Sequence, residues 1–267
     1  MSYVKIAVVG AAGRMGKRIV NIVNDDNVAV ISAAIEGKDS LFLNQDIGEI
    51  AGCGKLGVTV SDDFSNVAES DVIIDFTGAK VTLGNLGNYL KAGKPVVIGS
   101  TGFEKDEIAK IEGLSEEVPV VFAPNMSLGV NLTFKILEMV AGAIGEDFDI
   151  EIIEAHHRMK KDAPSGTAMK MAEIIANKLK RNLDRDAVFC RRGLIGERSE
   201  KEIGIQTIRG GDIVGEHTVM FCGAGERLEI THKASSRDTF AKGAVTAAKW
   251  VSDKKAGLYS MFDVLGL

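Results

Sequence analysis

The sequence predicts an α/β protein: a Rossmann-type dinucleotide-binding domain joined to an α+β domain with an open mixed sheet. Three observations predict it. In the first half of the chain, short apolar runs alternate with helical stretches, the pattern of a parallel sheet wound with helices on both faces. The first run leads straight into GAAGRMG, with Gly10, Gly13 and Gly16 evenly spaced before a helix. After about residue 128, strand-like runs follow one another with glycine turns between them.

Taken in order, VKIAVV (4–9) is a short buried strand, and KRIVNIVND is a helix with apolar spacing at Ile19, Val20, Ile22 and Val23. VAVISAAIE is the second strand and ends at Glu36. VTVSDD and DVIIDFT are further strands, separated by a short helical stretch. VTLGNLGNYLKAG is a helix closed by Gly93, KPVVIGSTG a strand, EIAKIEGLSE a helix and VPVVFAPN a strand. A long apolar helix, LGVNLTFKILEMVAGAIG, then leads into the strand FDIEIIEAHH and a helix beginning near Ser165. EIGIQTIRG, EHTVMFCG and ERLEITHKA suggest a largely antiparallel sheet, and RDTFAKGAVTAAKWVSDK is a last amphipathic helix.

The 267 residues suffice for two modest domains or one large one. A net charge of −5 and a pI near 5.5 argue against a nucleic-acid partner, because no broad basic face is indicated. Cys53, Cys190 and Cys222 are odd in number and far apart, which implies neither a disulfide framework nor a Cys-x-x-Cys metal site. No apolar run approaches the roughly 20 residues of a membrane helix. MSYVKIAVVG lacks the basic flank and apolar core of a signal peptide, so a cytoplasmic location is expected.

The glycine loop carries the first chemical signal. The first glycine lets the chain turn, the second lets backbone approach a pyrophosphate, and the third admits close helix–strand packing. Amides of the loop Gly10, Ala11, Ala12 and Gly13 and the positive end of the following helix would then face phosphates. A tight turn without ligand gives the same glycines. Glu36, about twenty residues on, stands where an acid accepts a hydrogen bond from an adenosine ribose. That acid suits NADH, while Lys38 can neutralise the 2′-phosphate of NADPH. Two more strand ends, Asp75-Phe76-Thr77 and Gly99-Ser100-Thr101, with Ala123, Pro124, Asn125 and Met126, are expected along the same crevice to admit nicotinamide and its ribose.

The second signal is EAHHRMKKDAPSGTAMKMAE, residues 154–173. Adjacent His156 and His157 on a strand point to opposite faces and cannot chelate one metal together, so no metal is expected. One of them would face the cofactor crevice while the other packs or caps. Arg158, Lys160 and Lys161 add positive charge, and Pro164 disfavours helix at Ala163. Ser165, Gly166 and Thr167 then form a first helical turn whose amides suit a carboxylate, with Lys160 as a charged partner. An N-capped helix after a solvated basic turn is the other reading.

With both elements assembled, the chain resembles the dihydrodipicolinate reductase family along essentially its whole length. EAHHRMKKDAPSGTA follows the family signature E-x-H-H-x-x-K-x-D-x-P-S-G-T-A, and VGAAGRMG, DFT, GSTGF, APNMSLGVN, RGGDIVGEH and THKASSRDTFAKGA match in order. The resemblance implies a dinucleotide-binding domain from residues 1–127 and 238–267, and a substrate-binding and tetramerisation domain from residues 128–237. It implies reduction of 4-hydroxy-tetrahydrodipicolinate by NADH or NADPH in lysine and diaminopimelate synthesis. By motif position, His156 and Lys160 would handle protons, and His157, Lys160, Gly166 and Thr167 would hold substrate carboxylates. Gly10, Arg14, Met15, Glu36, Gly99 to Thr101 and Ala123 to Met126 would contact the cofactor. Gly78 departs from members with a basic residue there, which leaves Lys38 as the obvious 2′-phosphate partner. Another amino- or hydroxy-acid dehydrogenase fits the His-His-x-x-Lys segment poorly, and a dinucleotide-sensing regulator lacks any helix-turn-helix or basic tail.

Overall fold

Strand β1 (Val4–Val9) opens the structure, a computed structural model that describes residues 3–267. Its last four residues are buried, as a central strand covered on both faces requires. Helix α1 (Arg14–Asn24) starts directly on Gly13, three residues earlier than KRIVNIVND suggests. It buries Gly16, Ile19, Val20 and Val23 on one stripe. There follow β2 (Ala29–Ile35), a short α2 (Ile47–Ala51) capped by Asp46, and β3 (Val60–Ser61). After a 3₁₀ turn at Phe64–Glu69 come the fully buried β4 (Val72–Asp75) and α3 (Ala79–Ala92), which Gly93 ends in the left-handed region at φ 63°. β5 (Val96–Ile98), α4 (Lys105–Ser115) behind a Glu104/Glu107 capping box, and β6 (Pro119–Phe122) complete this stretch.

The chain continues through α5 (Leu128–Ile144), β7 (Asp149–His156), α6 (Gly166–Lys178), α7 (Leu183–Asp186), β8 (Ala187–Val188), β9 (Ile203–Arg209), β10 (Gly215–Cys222) and β11 (Arg227–Ala234). It ends with α8 (Asp238–Val251), β12 (Gly257–Tyr259) and α9 (Met261–Leu265). Two compact units result: one runs through Leu128 and resumes over Arg237–Leu267, the other is Gly129–Ser236.

In the first unit, seven parallel strands lie in the order β3-β2-β1-β4-β5-β6-β12. Strand order reverses between β1 and β4, and the loops that leave these two strands form the crevice where such sheets take ligands. Helices α1 and α8 cover one face: Ile19, Val20, Ala241, Ala244 and Ala248 pack with Val8 and Ile74. The other face buries Tyr89 of α3 and Ile111 of α4 against Ile73 and Val120. Small residues bring α8 close, since a Cβ on Gly243 would strike the carbonyl of Met126. An ion pair of Arg18 with Asp238, and one of Lys249 with Asp26 at 2.5 Å, tie α8 to the N-terminal part of the unit. The sequence has no periodic signal for β12, which is only three residues long.

In the second unit the sheet order is β11-β10-β7-β9-β8. Strand β10 is antiparallel to β11 and β7, whereas β7 and β8 are both parallel to β9. The largely antiparallel sheet expected from the glycine turns is therefore corrected to an evenly mixed one. The reason lies in the connection: α6 intervenes between β7 and β9 and carries the chain back to its starting end, which a hairpin cannot do.

Candidate active site

The glycine loop is built from backbone constraints. Gly10 sits at φ +73°, and a Cβ there would stand 2.5 Å from Cγ2 of Thr77, on the loop after β4. A Cβ on Gly16 would run into the carbonyl oxygens of Gly10 and Ala11. The amides of Gly10 and Ala11 both donate to the Ile35 carbonyl, and that of Gly13 donates to Gly10. Ala12 N–H donates to Glu36 Oε1 at 2.7 Å. The loop amides expected to face phosphates are thus engaged within the protein. The first-turn amides of α1, at Arg14, Met15 and Gly16, have no carbonyl in the helix to receive them. No side chain caps this helix and no acid stands in its first turn, so its positive end is left uncompensated by the protein's own side chains.

Glu36 keeps its second oxygen for another donor. With Lys38, Asp62, Phe64 and Thr77 it lines a cavity of about 450 Å³ beside Gly10. The sequence reading placed Glu36 and Lys38 together but did not find Asp62 or Phe64, which come from the irregular stretch around β3. Thr77 is held by Asp75, which accepts from the Thr77 amide at 2.9 Å and its hydroxyl at 2.6 Å. Asp75 is fully buried and also accepts from Tyr89 Oη at 2.7 Å. Burial first, then Asp75, pushes the Tyr89 phenol well above its usual pKa, so it stays a donor.

Several expected cofactor residues act through packing. Gly99 is required because any Cβ would collide with the Phe76 ring. Ser100 is buried and takes a hydrogen bond from Thr82 at 2.8 Å. Ala11, Ala123 and Met126 are buried in the core, and Ala12 is nearly so. Arg14, Gly13, Lys38, Thr101 and Pro124 are exposed, while Met15 and Asn125 are half-buried.

In the second unit, strand pleating sets the site. Glu154 and His156 are two apart on β7 and share its helix-covered face with Ile150 and Ile152. Register puts Glu154 opposite His217 of β10 and Thr207 of β9, with His156 opposite Arg209. Glu154 is fully buried and receives His156 Nδ1 at 2.6 Å, Ser165 N–H at 2.9 Å, Thr207 Oγ1 at 3.2 Å and both terminal nitrogens of Arg209 at 2.8 Å. Burial works to raise its pKa, but these donors, Arg209 foremost, pull it down to about 2. Burial also holds His156 below the ordinary imidazole value, against the upward pull of Glu154. His217 stacks edge-on against His156, ring centroids 5.1 Å apart, and burial pushes it down to about 4.

Ser165 caps α6, its hydroxyl accepting from Ala168 N–H at 3.2 Å and meeting His217 Nε2 at 2.9 Å. With its amide on Glu154, Ser165 shapes the site from inside the protein. Gly166 is exposed, and a Cβ there would meet no atom within 4 Å, so protein packing does not explain the glycine. Thr167, next in sequence, and His157, at the start of the basic turn, are both half-buried, and Lys160 is paired with Asp162 at 3.0 Å. Arg209 also donates to the Asp162 carbonyl at 2.7 Å, tying the basic loop to the sheet. The histidine pair is split: His156 ends β7 and faces inward, and His157 begins the turn. Glu154, Arg209, Thr207 and His217 were not found as site residues from the sequence. Glu154 and Arg209 lie inside EAHH and RGGD, but only strand register unites them.

Comparison with known proteins matches both units. The model of the family "Dihydrodipicolinate reductase, N-terminus" covers residues 4–126, and "Dihydrodipicolinate reductase, C-terminus" covers residues 129–265. A 4-hydroxy-tetrahydrodipicolinate reductase of Chromohalobacter salexigens is 56% identical over 265 residues, with 98% of each chain covered. One from Geotalea uraniireducens is also 56% identical, with 99% of each chain covered. Among solved structures, dipicolinate-bound dihydrodipicolinate reductase from Paenisporosarcina sp. TG-14 shares the fold at a TM-score of 0.74 and 24% identity, with 98% of each chain covered.

Proposed function

The chain belongs to the dihydrodipicolinate reductase family, and on that premise we propose how its residues divide the work of the reduction. It is an NAD(P)H-dependent oxidoreductase that converts 4-hydroxy-tetrahydrodipicolinate, by way of dihydrodipicolinate, to tetrahydrodipicolinate in diaminopimelate and lysine synthesis. The observation that carries this reading is the 56% identity spanning 98% of the chain.

The first unit fits a dinucleotide. The uncapped first turn of α1, at Arg14 and Met15, receives the pyrophosphate. Glu36 offers its remaining oxygen to the adenosine ribose and Lys38 offers a cation to a 2′-phosphate, both on one cavity. The stretches Phe76-Thr77, Gly99-Ser100-Thr101 and Ala123-Pro124-Asn125-Met126 border the nicotinamide end. When bound, the reduced nicotinamide supplies a hydride to C4 of the substrate ring.

In the second unit a substrate carboxylate sits on the amides of Gly166 and Thr167, helped by His157 and Lys160. Ser165 holds that turn in place. After hydride addition, electron density collects at C3 and the ring nitrogen. His156 in its protonated form gives the proton at Nε2 to C3 and is left neutral. Lys160 stabilises negative charge on the ring and its carboxylates. The dipicolinate in the Paenisporosarcina structure is a cyclic dicarboxylate of the same chemical class.

Two further assignments go with this reading. The sheet face opposite α6, carrying Glu151, Ile153, Thr218 and Met220 in only partial burial, forms a homotetramer, measurable by light scattering. The protein works in the cytoplasm; no helix among the described residues is long and apolar enough to cross a membrane.

The test is direct. The purified protein should oxidise NADH or NADPH when given the product of the preceding synthase. His156→Ala should lower kcat by roughly a hundredfold or more with little change in cofactor Kd. Turnover intact in His156→Ala removes the proton-donor role, and no oxidation with either cofactor removes the function. The ratio of the two Kd values measures the competition between Glu36 and Lys38.

A further inference from the structure

A heavily bonded carboxylate of the second unit stands beside the proton donor without touching the substrate chemistry itself. Glu154 is a carboxylate with no exposed surface, at the meeting point of β7, β9, β10 and the start of α6. Arg209 grips it with two nitrogens at 2.8 Å each, and Ser165 N–H and Thr207 Oγ1 add two more donors. A carboxylate so supplied is an acceptor only, and the nitrogen of His156 that meets it at 2.6 Å must carry the hydrogen.

The remaining surroundings of the ring agree. His217 packs edge-on against His156 at 5.1 Å between centroids. On the far side of the ring, Gly215 has no side chain; a Cβ there would stand 3.1 Å from His156 Nε2. The glycine keeps the neighbourhood of that one nitrogen clear, while the His156 side chain retains 11% exposure.

We infer that Glu154, backed by Arg209, is a positioning residue for the reduction: it takes the Nδ1 hydrogen of His156 and thereby fixes the tautomer in which Nε2 alone exchanges protons with the substrate. This rests on the reading of His156 as proton donor. In the transfer, the imidazolium loses its Nε2 proton to C3 and becomes the Nδ1–H tautomer that Glu154 already holds, so no ring flip is needed. The ionisable groups facing His156 are Glu154 from β7, Arg209 from β9, His217 from β10 and Lys160 from the loop after β7. Glu154 is the only anion among these four. Without its charge, the cations Arg209 and Lys160 dominate and disfavour the imidazolium.

The experiment compares pH profiles of kcat/KM for the wild type, Glu154→Gln and Glu154→Asp, with NADH binding measured alongside. A proton donor loses activity as pH rises past its pKa. Glu154→Gln should therefore move the basic limb of the profile to lower pH by about one unit or more, lowering kcat/KM roughly tenfold on that limb. Cofactor Kd should stay within about twofold, because Glu154 lies outside the dinucleotide-binding unit. Glu154→Asp keeps the charge and should restore the limb toward its wild-type position. An unshifted limb in Glu154→Gln overturns the inference, even if overall activity falls.

Should the glutamine variant fail to fold, nitrogen NMR of the wild-type His156 side chain decides: hydrogen on Nδ1 and a bare Nε2 are expected at high pH, and the opposite tautomer overturns it. That measurement requires no substrate. A folded wild type that never oxidises NAD(P)H with substrate would thus sink the proposed function while the tautomer still reports on Glu154.

Discussion

At the scale of single residues, buried charge governs the second unit. Burial of Glu154 is tolerated because Arg209 and the surrounding donors compensate the carboxylate. His217 has no such partner: its Nδ1 is buried without a hydrogen bond, and Nε2 meets only Ser165. Burial, then His156, pushes its pKa from the usual 6.5 down to about 4. The unfolded chain therefore binds this proton first. The stability His217 contributes is intact above about pH 6.5 and is lost as pH falls toward about 4, by roughly 3 kcal/mol across that window. Glu154, pulled below its usual value to about 2, adds a loss only below about pH 4.5. Urea midpoints between about pH 7 and pH 4.5 should fall less steeply for His217→Gln than for the wild type. Equal slopes would remove His217 from the account.

At the scale of elements, the glycines of helices differ in what they are for. Gly16 faces the backbone of β1's exit loop, where carbonyls of Gly10 and Ala11 leave no space for a methyl group. Gly87 sits exposed inside α3, and a Cβ there would meet nothing within 4 Å. Gly16→Ala should therefore lower Tm and weaken NADH binding by roughly tenfold or more, because the α1 turn must shift. Gly87→Ala should raise stability by about 0.5–1 kcal/mol, the intrinsic preference of a helix for alanine. Calorimetry and cofactor titration distinguish them; a Gly16→Ala protein that binds NADH like the wild type would refute the packing argument.

At the scale of the whole molecule, the first unit is assembled from both ends of the chain. Helix α8 contributes Ala241, Ala244, Val245, Ala247, Ala248 and Val251 to the same core as β1 and α1. Beyond it, β12 adds the strand that covers β6. A chain ending at Ser236 keeps every residue of the glycine loop and of the Glu36 cavity. It should nevertheless lose NADH binding and show reduced helical and strand signal by circular dichroism, since one sheet face would open to water. Retained NADH affinity would show that α8 is dispensable.

Much of this was legible in the sequence, and the boundary has a physical cause. Strand–helix alternation, the three glycines, Glu36 and the long His-His-x-x-Lys…Pro-Ser-Gly-Thr motif are local patterns, each set by the geometry of one turn or one element. They determined the parallel sheet, the dinucleotide-binding class of the first domain and the family, and they single out the helix start at Ser165 as the proposed carboxylate position. A mixed second sheet was expected, but its share of parallel pairing was not legible, because glycine turns do not reveal that α6 returns the chain to its starting end. Neither was the network around His156. Glu154, Thr207, Arg209 and His217 are up to 63 residues apart and become neighbours only through register between three strands. Sequence patterns report which face of its own element a residue occupies. Which residue of another element stands opposite it, and therefore which charge is compensated and which nitrogen keeps its proton, was decided by the tertiary structure.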